Sequence, residues 1–397
     1  MRRITYVLAL MAIGGCNTEK PIAPATVALS SNAPEVRYTI QKLPSPLGGS
    51  ARGVSINARG WVAGFSNLPD NLSRHAVLWH DGVATDLNTL GGANSSLQWP
   101  GLNNVGVVVG NSETAELNPL QESWSCAAFF PTVTKHNCRG FVYEDGQMRK
   151  LPTLGGYNGF ATEINNRGQI VGWAETPVHD PTCVSPQVLQ FRAVIWEPGS
   201  RTPHELQPLH GDSTSAATGI NNRGQVVGIS GKCDVAVGEF SAQHAVIWEN
   251  GQPTDIGSFG GAAWNTPVDI NDAGDVTGFS DFPGDGDGTA NFQGFFWSKA
   301  TGMKKIGVLP GDKTSQPFAI NAQRQVVGLS CGDVACHPFL WQNDVIQSFD
   351  SLVVPGFGGT IVSARHINDN GTITGDMLDS TTMKKVPFIA TPVPAHD

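Results

Sequence analysis

Three carboxylates of the chain are spaced closely enough to bind a hard cation together. Asp281, Asp285 and Asp287 lie in the segment DFPGDGDGTANF, where glycines allow a tight loop. Carboxylate oxygens are ligands that Ca²⁺ prefers, but no Glu follows where the usual calcium loop has one. Two interpretations stay open, a calcium site and a solvated acidic turn, and we favour the turn. Calcium is the one cofactor that the sequence suggests.

Motifs of common catalytic sites are absent from the sequence. It contains no Gly-x-Ser-x-Gly elbow, phosphate-binding loop, dinucleotide fingerprint or His-Glu-x-x-His zinc motif. Glu163, Asp269 and His366 each precede an isoleucine at the end of a predicted strand and are the remaining acid–base candidates. We interpret them as polar lining of a central channel, so no catalytic residue is predicted.

Cysteine chemistry points to cross-links rather than reactive thiols. Six cysteines follow Cys16, and an even number in an exported protein favours disulfides. The repeat described below places two pairs within single loops and one pair in neighbouring units. We predict the disulfides Cys126–Cys138, Cys183–Cys233 and Cys331–Cys336.

The N-terminal sequence MRRITYVLALMAIGGC indicates export. Its basic start, short apolar run and small residues before Cys16 resemble a bacterial lipoprotein signal, and the apolar run is too short to span a bilayer. The resemblance implies a signal peptide over residues 1–15 and a diacylglycerol anchor on Cys16. Residues 16–35 are predicted to be a flexible tether. Because residue 17 is Asn rather than Asp, we expect a location in the cell envelope at the outer membrane.

Charge limits the partners. The formal net charge is −9 at pH 7, with 25 basic and 34 acidic side chains. Nucleic acid is excluded as a partner because no basic footprint for a phosphate backbone is visible. We expect a monomer.

An internal repeat covers residues 36–397. The fold that it forms must position the acidic loop, the acid–base candidates and the six cysteines named above. A motif such as INNRGQVVG begins at residues 56, 102, 164, 220, 270, 320 and 367. A second motif such as HAVIWENG and a third such as TDIGSFGG follow in turn. The successive apolar positions predict strands that are buried on both faces. Spacings of 46 to 62 residues predict an all-β, seven-bladed β-propeller of four-stranded blades.

Within each unit, the recurring polar and aromatic residues are assigned to architecture. We predict that the motif asparagines bond the main chain of their own turns and that His75, His244 and His337 are not metal ligands. The recurrent tryptophans, such as Trp79 and Trp248, are expected to pack between blades.

The three motifs together resemble those of the HAF-repeat proteins. INNRGQVVG, HAVIWENG and TDIGSFGG carry the resemblance, which covers residues 38 to 391, although the third letter of the His-Ala-Phe signature is usually Val here. The resemblance implies an extracellular propeller-like protein and brings no catalytic residues.

Two structural expectations follow from the order of the motifs. The chain opens with an isolated third motif and ends after a second one, so the N-terminal strand should complete the last blade and close the ring. Tight turns then lie on one face of the disc, and the long variable connections, with all six cysteines, on the other.

The loop-rich face is therefore predicted to carry the function. We expect a non-enzymatic binding module for a protein or glycan ligand, with five aromatic residues as candidate contacts: Trp99, Trp124, Phe129, Phe130 and Trp264. The equal alternative for these aromatics is that they anchor their own loops. The alternative function is a polysaccharide-active hydrolase or lyase, which would need acidic or basic side chains converging at the channel mouth.

Overall fold

The computed structural model describes residues 36–199, 201–284 and 291–393, except for the side chain of Trp124. The predicted signal peptide (1–15) and tether (16–35), with Cys16, lie outside these residues. The described part contains seven four-stranded antiparallel sheets, which confirms the predicted propeller. No helix in this part is long and apolar enough to cross a membrane.

The first four blades follow one another along the chain. Blade 1 contains β2 (Ala51–Ile56), β3 (Val62–Asn67), β4 (Arg74–His80) and β5 (Val83–Asp86). Blade 2 contains β6 (Gly91–Ser96), β7 (Val108–Leu117), β8 (His136–Glu144) and β9 (Gln147–Lys150), with the short helix α1 (Trp124–Ala127) between β7 and β8. Blade 3 contains β10 (Gly159–Ile164), β11 (Ile170–His179), β12 (Leu189–Trp196) and β13 (Pro203–Leu206). Blade 4 contains β14 (Thr214–Ile220), β15 (Val226–Gly231), β16 (His244–Glu249) and β17 (Gln252–Asp255).

The remaining blades complete the ring. Blade 5 contains β18 (Thr266–Ile270), β19 (Val276–Asp281), β20 (Phe292–Ser298) and β21 (Gly302–Lys305). Blade 6 contains β22 (Thr314–Ile320), β23 (Val326–Cys331), β24 (Cys336–Gln342) and β25 (Val345–Ser348). Blade 7 contains β26 (Gly359–Ile367), β27 (Ile373–Asp379) and β28 (Lys385–Val393), together with β1 (Arg37–Lys42). Two 3₁₀ segments, Phe240–Ala242 and Phe349–Leu352, lie in connections.

The N-terminal strand closes the ring as predicted. β1 pairs antiparallel with β28 along its whole length, from Arg37 opposite Val393 to Lys42 opposite Phe388. Tyr38 is buried at 1% exposure, and its ring lies 5.1 Å from that of Phe349 in the 3₁₀ segment after blade 6. The first and last described strands are therefore held in one sheet, and the outer edge of β28 is paired.

Seven motif asparagines form a closed ring of hydrogen bonds around the channel. Each Oδ1 accepts main-chain N–H groups of its own turn, as predicted; Asn57, for example, bonds the N–H groups of Arg59 and Trp61. Each Nδ2 also donates to the main-chain carbonyl of the corresponding asparagine in the next blade, at 2.9 to 3.4 Å. The members are Asn57, Asn103, Asn165, Asn221, Asn271, Asn321 and Asn368. The sequence predicted the local bonds but not the bonds between blades.

The recurrent tryptophans and histidines have the architectural roles expected of them. Trp79, Trp196 and Trp248 donate from Nε1 to carbonyls that follow the last strand of the preceding blade. His75 and His244 bond Asp86 and Asp255 of their own blades, and His337 bonds Asp312. Each histidine thus has a carboxylate partner in its own blade or at its edge.

The three predicted disulfides are present: Cys126–Cys138, Cys183–Cys233 and Cys331–Cys336. Disulfides persist in oxidising compartments, so this set indicates an extracytoplasmic protein. The sequence also predicted loops over residues 111–138, 174–190 and 280–292, and these boundaries were less accurate. β7 extends to Leu117, β11 extends to His179 and β19 ends at Asp281, so parts of the three expected loops are strands. These extensions occur because long connections at the loop-rich face continue the hydrogen-bonded ladder beyond the disc.

Candidate functional site

In every blade, at least one of the two residues before the Ile or Leu of the first motif lines the central channel. The residue one place before it belongs to the turn end of the channel in three blades, where it is Glu163, Asp269 or His366. The residue two places before it lines a cavity at the loop-rich end in six blades. Most innermost strands have a β-bulge two residues before this Ile. The bulge lets two consecutive residues face opposite ends of the channel.

The cavity at the loop-rich end, hereafter the aromatic cavity, has a volume of about 90 Å³ and a largely apolar wall. Six of the seven blades contribute to it. Six aromatic side chains line it: Trp99, Phe129, Trp264, Phe279, Phe292 and Phe318. An apolar cavity can enclose a group about the size of an aromatic ring, so this one suits the end of a larger molecule rather than a whole ligand.

One wall of the aromatic cavity is a packed aromatic cluster. The ring of Trp99 lies 5.6 Å from that of Phe129 and 5.5 Å from that of Phe160, both edge to face. Trp99 is 9% exposed and Phe129 is 6% exposed. These two residues therefore pack in the core, as the anchoring interpretation expects, and also line the cavity, while their contact with a ligand stays a prediction.

Trp264 differs from Trp99, Phe129 and Phe130 because it is half-buried and its main chain is strained. Its φ of 52° lies in the left-handed region, which a bulky side chain rarely adopts. Its main-chain N–H donates to the carbonyl of Glu239 at 3.3 Å, which ties the connection before β18 to the loop of blade 4. Backbone strain of this kind is concentrated at ligand-binding sites.

Two disulfides brace the loops around the aromatic cavity. Cys126, Cys138 and Cys233 are buried in the same apolar cluster as Trp99, Phe279 and Phe292, and Cys183 packs against it. The Cys183–Cys233 bond joins blades 3 and 4, and Cys126–Cys138 closes the insertion that carries Phe129. The rim is thereby held in one arrangement, which reduces the entropy lost on binding.

The other predicted site residues are less connected to this cavity. Phe130 is buried in the same cluster but is not among the described residues that line the cavity. The side chain of Trp124 lies outside the described part. Asp281 is buried at the end of β19, whereas Asp285 and Asp287 lie outside the described residues. Within the described ranges no group of three metal-ligating side chains occurs.

Arg365 was missed by the sequence analysis and is the one charged side chain in the described lining of the aromatic cavity. It occupies the position two before the isoleucine in blade 7. The other blades have Val54, Pro100, Thr162, Thr218, Val268 and Phe318 there. Aligning the repeats by this register, rather than searching for loop aromatics, would have singled out the one charged side chain at the position. Phe318 would have been found in the same way.

The turn end of the channel forms a second, polar cavity of about 140 Å³. Glu163 accepts a hydrogen bond from the N–H of Ile220, and His366 accepts one at Nδ1 from the N–H of Ile56. Asp269 accepts from Ile270 with one oxygen and from Ile320 with the other. Each of these side chains thus forms a hydrogen bond between its own blade and another blade.

Burial controls the charge of this second cavity. It raises the pKa of Glu163 well above its usual range, with a further contribution from Asp269. It also raises the pKa of Asp269 to about 6 and lowers that of His366 to about 4. The acidic and basic groups that an enzyme would need are therefore near one another, but in the tight-turn face rather than beneath the long loops.

No family model matches the chain, and no curated protein matches it. Several solved structures are similar to it in fold. Virginiamycin B lyase from Staphylococcus aureus is 13% identical with a TM-score of 0.48, over 90% of this chain and 100% of the lyase. An oligogalacturonate lyase in complex with manganese is 9% identical with a TM-score of 0.47, over 90% of this chain and 96% of that one. A putative TolB from Agrobacterium tumefaciens is 9% identical with a TM-score of 0.39, over 91% and 99%. Similarities this low give no basis for assigning an activity, and the propeller fold rests on the sheet topology itself.

Proposed function

We propose that this protein is a non-enzymatic binding module of the cell envelope that holds an apolar group of its ligand in the aromatic cavity. The observation that carries the proposal is the convergence of six aromatic side chains from three blades beneath loops that disulfides brace. Binding sites are commonly concave, mainly apolar and built on rigid scaffolds. A protein or a glycan that presents an aromatic or acyl group fits this description.

A small neutral probe tests the cavity directly. We expect 3-phenylpropanamide to quench the tryptophan fluorescence of the full-length protein in a saturable way, because Trp99 and Trp264 both line the cavity. Trp264→Ala should weaken its binding at least tenfold, since this ring lines the cavity and, being half-buried, contributes less to the core than Trp99 does. Trp99→Ala is a poorer test because removing a buried Trp costs about 3 to 5 kcal/mol of stability.

A control on the opposite face distinguishes a site from a general effect. Arg223 lies in the tight turn of blade 4 at the turn end, so Arg223→Ala should leave the affinity for the probe unchanged. Failure of the probe to bind, or equal weakening by Trp264→Ala and Arg223→Ala, would contradict the proposal.

The membrane anchor is a separate part of this proposal. The three disulfides support a location outside the cytoplasm, and the sequence before Cys16 supports a lipid on its sulfur. We propose that the protein is an outer-membrane lipoprotein of the HAF-repeat type. Labelling with a radioactive fatty acid should mark the wild-type chain and not Cys16→Ser; label on both would contradict the anchor.

The alternative, a polysaccharide hydrolase or lyase, would use the polar cavity at the turn end. Glu163 favours it, since a carboxyl group with a raised pKa near Asp269 can act as a general acid. A survey of polysaccharides for turnover, with Glu163→Gln as the control, decides between the two functions. Turnover that Glu163→Gln abolishes would replace the binding module with an enzyme.

A further inference from the structure

The aromatic cavity has a single charged wall. Arg365 is 8% exposed and lines the cavity, and its guanidinium carbon lies 4.1 Å from the centroid of the Phe318 ring. Its Nε donates to the hydroxyl of Ser363 at 3.3 Å. Within the described part of the chain, this hydroxyl is the one hydrogen-bond acceptor of the Arg365 side chain, which has no ion pair there. The terminal nitrogens therefore keep donors for a ligand.

Positive charge exceeds negative charge around this wall. Arg52 forms an ion pair with the fully buried Asp376 at 3.0 Å. Arg74 donates to the carbonyl of Phe129 at 3.1 Å, and its guanidinium carbon lies 4.2 Å from the centroid of the Phe65 ring. Asp376 is the one carboxylate among these groups, and Arg52, Arg365 and Lys385 all act on it electrostatically. One negative charge therefore faces three positive groups, and Arg74 adds a fourth positive charge beside Arg52.

Burial and the neighbouring charge of Arg52 make the charged forms of Arg74 and Arg365 less favourable. Burial, followed by the charge of Arg52, lowers the pKa of both Arg74 and Arg365 to about 9. Asp376 acts in the opposite direction on Arg365 without reversing the shift. Both arginines stay charged at neutral pH, and a further negative charge beside them would be stabilised.

We propose that the ligand of the aromatic cavity is an amphiphilic anion, which places an apolar group among the aromatic rings and an oxyanion on the guanidinium of Arg365. This inference rests on the proposed function and adds the charge and polarity of the ligand to it. A guanidinium binds a carboxylate, sulfate or phosphate through two parallel hydrogen bonds, and these bonds are stronger away from water. The apolar rings alone would not distinguish such an anion from a neutral ligand of the same shape.

A matched pair of probes separates the two contributions. 3-Phenylpropionate and 3-phenylpropanamide have the same apolar part and differ in charge. We expect the full-length protein to bind the carboxylate at least tenfold more tightly than the amide, measured as Kd by tryptophan fluorescence and by ligand-observed NMR. Arg365→Gln should bring the two Kd values within about twofold of each other by weakening only the carboxylate. Lys313→Gln removes a positive charge from an exposed site of the same face and should leave the ratio unchanged.

The possible results distinguish this inference from the proposed function. Equal Kd values in the wild-type protein, with both probes lost in Trp264→Ala, would overturn the anion and leave the binding module in place. Failure of both probes would overturn both. Because the comparison in the wild-type protein needs no variant, misfolding of Arg365→Gln does not prevent the test.

Discussion

Asn368 donates a hydrogen bond from Nδ2 to the main-chain carbonyl of Asn57 at 2.9 Å, although the two residues are 311 positions apart in the chain. This bond repeats the contact that each of the other six motif asparagines makes with the following blade. The ring is therefore closed twice, by the asparagines at the turn end of the channel and by β1 in the outermost position of blade 7. The asparagine of the repeated turn motif therefore joins neighbouring blades as well as stabilising its own turn.

The asparagine ring predicts a large effect from a small substitution. Asn221 is 3% exposed, accepts the N–H groups of Arg223 and Gln225, and donates to the carbonyl of Asn271. Asn221→Ala should lower the free energy of unfolding by about 2 to 4 kcal/mol, because it leaves several buried polar groups without partners. Chemical denaturation measures the loss.

Two further variants test which bonds of the asparagine carry the effect. Asn221→Asp keeps the acceptor of the turn but replaces the donor to Asn271 and to Gln225 with an oxygen, so its destabilisation reports the loss of both bonds and the repulsion that replaces them. Arg223→Ala changes an exposed side chain of the same turn and should cost less than about 1 kcal/mol. Equal losses for Asn221→Ala and Arg223→Ala would mean that the ring contributes nothing to stability.

Because the N-terminal strand closes the ring, we expect one buried side chain of this strand to have a large effect on the stability of the whole propeller. Tyr38→Ala removes a ring that is 1% exposed and packs against Phe349, so we expect a loss of about 3 to 5 kcal/mol. Thr39→Ala, one residue further along the same strand and exposed, is the control. Deletion of residues 36–48 should lower the melting temperature or cause aggregation, and a truncated protein that melts like the full-length one would refute closure.

The fold could be predicted from the sequence because each blade repeats the same local signals. Alternating turns and apolar runs specify four strands, and the unequal motif counts at the two ends specify the closing strand. The aromatic cavity could be predicted only in part. Phe129 and Trp264 lie in connections that differ between blades, so they stood out. Trp99 was expected in such a connection but lies between β6 and β7 of blade 2, directly before Pro100. Arg365 and Phe318 lie on innermost strands, where their direction depends on a bulge that has no sequence signal of its own.

Arg324 predicts an unusual coupling between strain and charge. Its φ is 60° in a turn where the other blades have Gly, which costs about 1 to 2 kcal/mol. Its guanidinium group makes two hydrogen bonds to the buried Asp275 of the preceding blade, at 2.8 and 3.2 Å. Arg324→Gly relieves the strain but leaves that carboxylate without its partner, so we expect a net destabilisation of about 1 kcal/mol.

The effect of Arg324→Gly on stability should be reversed when residue 275 is also changed. Position 275 corresponds to Gln169, Gln225 and Gln325 in other blades. With Asp275→Gln present, no charge needs Arg324, and Arg324→Gly should then stabilise the protein by about 1 kcal/mol. Denaturation of the four proteins of this double-mutant cycle gives the coupling free energy, and additive effects would contradict the coupling.

His366 predicts how stability depends on pH. Burial lowers its pKa to about 4, from 6.5 in the unfolded chain, and Nδ1 accepts the N–H of Ile56. A lowered pKa means that the folded state binds this proton less readily than the unfolded state. The contribution of the neutral imidazole is therefore fully present above about pH 6.5 and is lost as the pH falls towards 4.

His366→Gln tests this dependence, because the amide oxygen can still accept the N–H of Ile56. Relative to the variant, the wild-type protein should lose about 2 to 3 kcal/mol of stability between pH 6.5 and 4, and the difference should be constant above that range. Urea denaturation across the range measures it. His204→Gln removes an exposed histidine from β13 and should follow the wild-type curve. If His366→Gln also followed the wild-type curve, the imidazole of His366 would not be the group that titrates. His366 would then be a polar residue that lines the turn-end cavity without affecting how stability depends on pH.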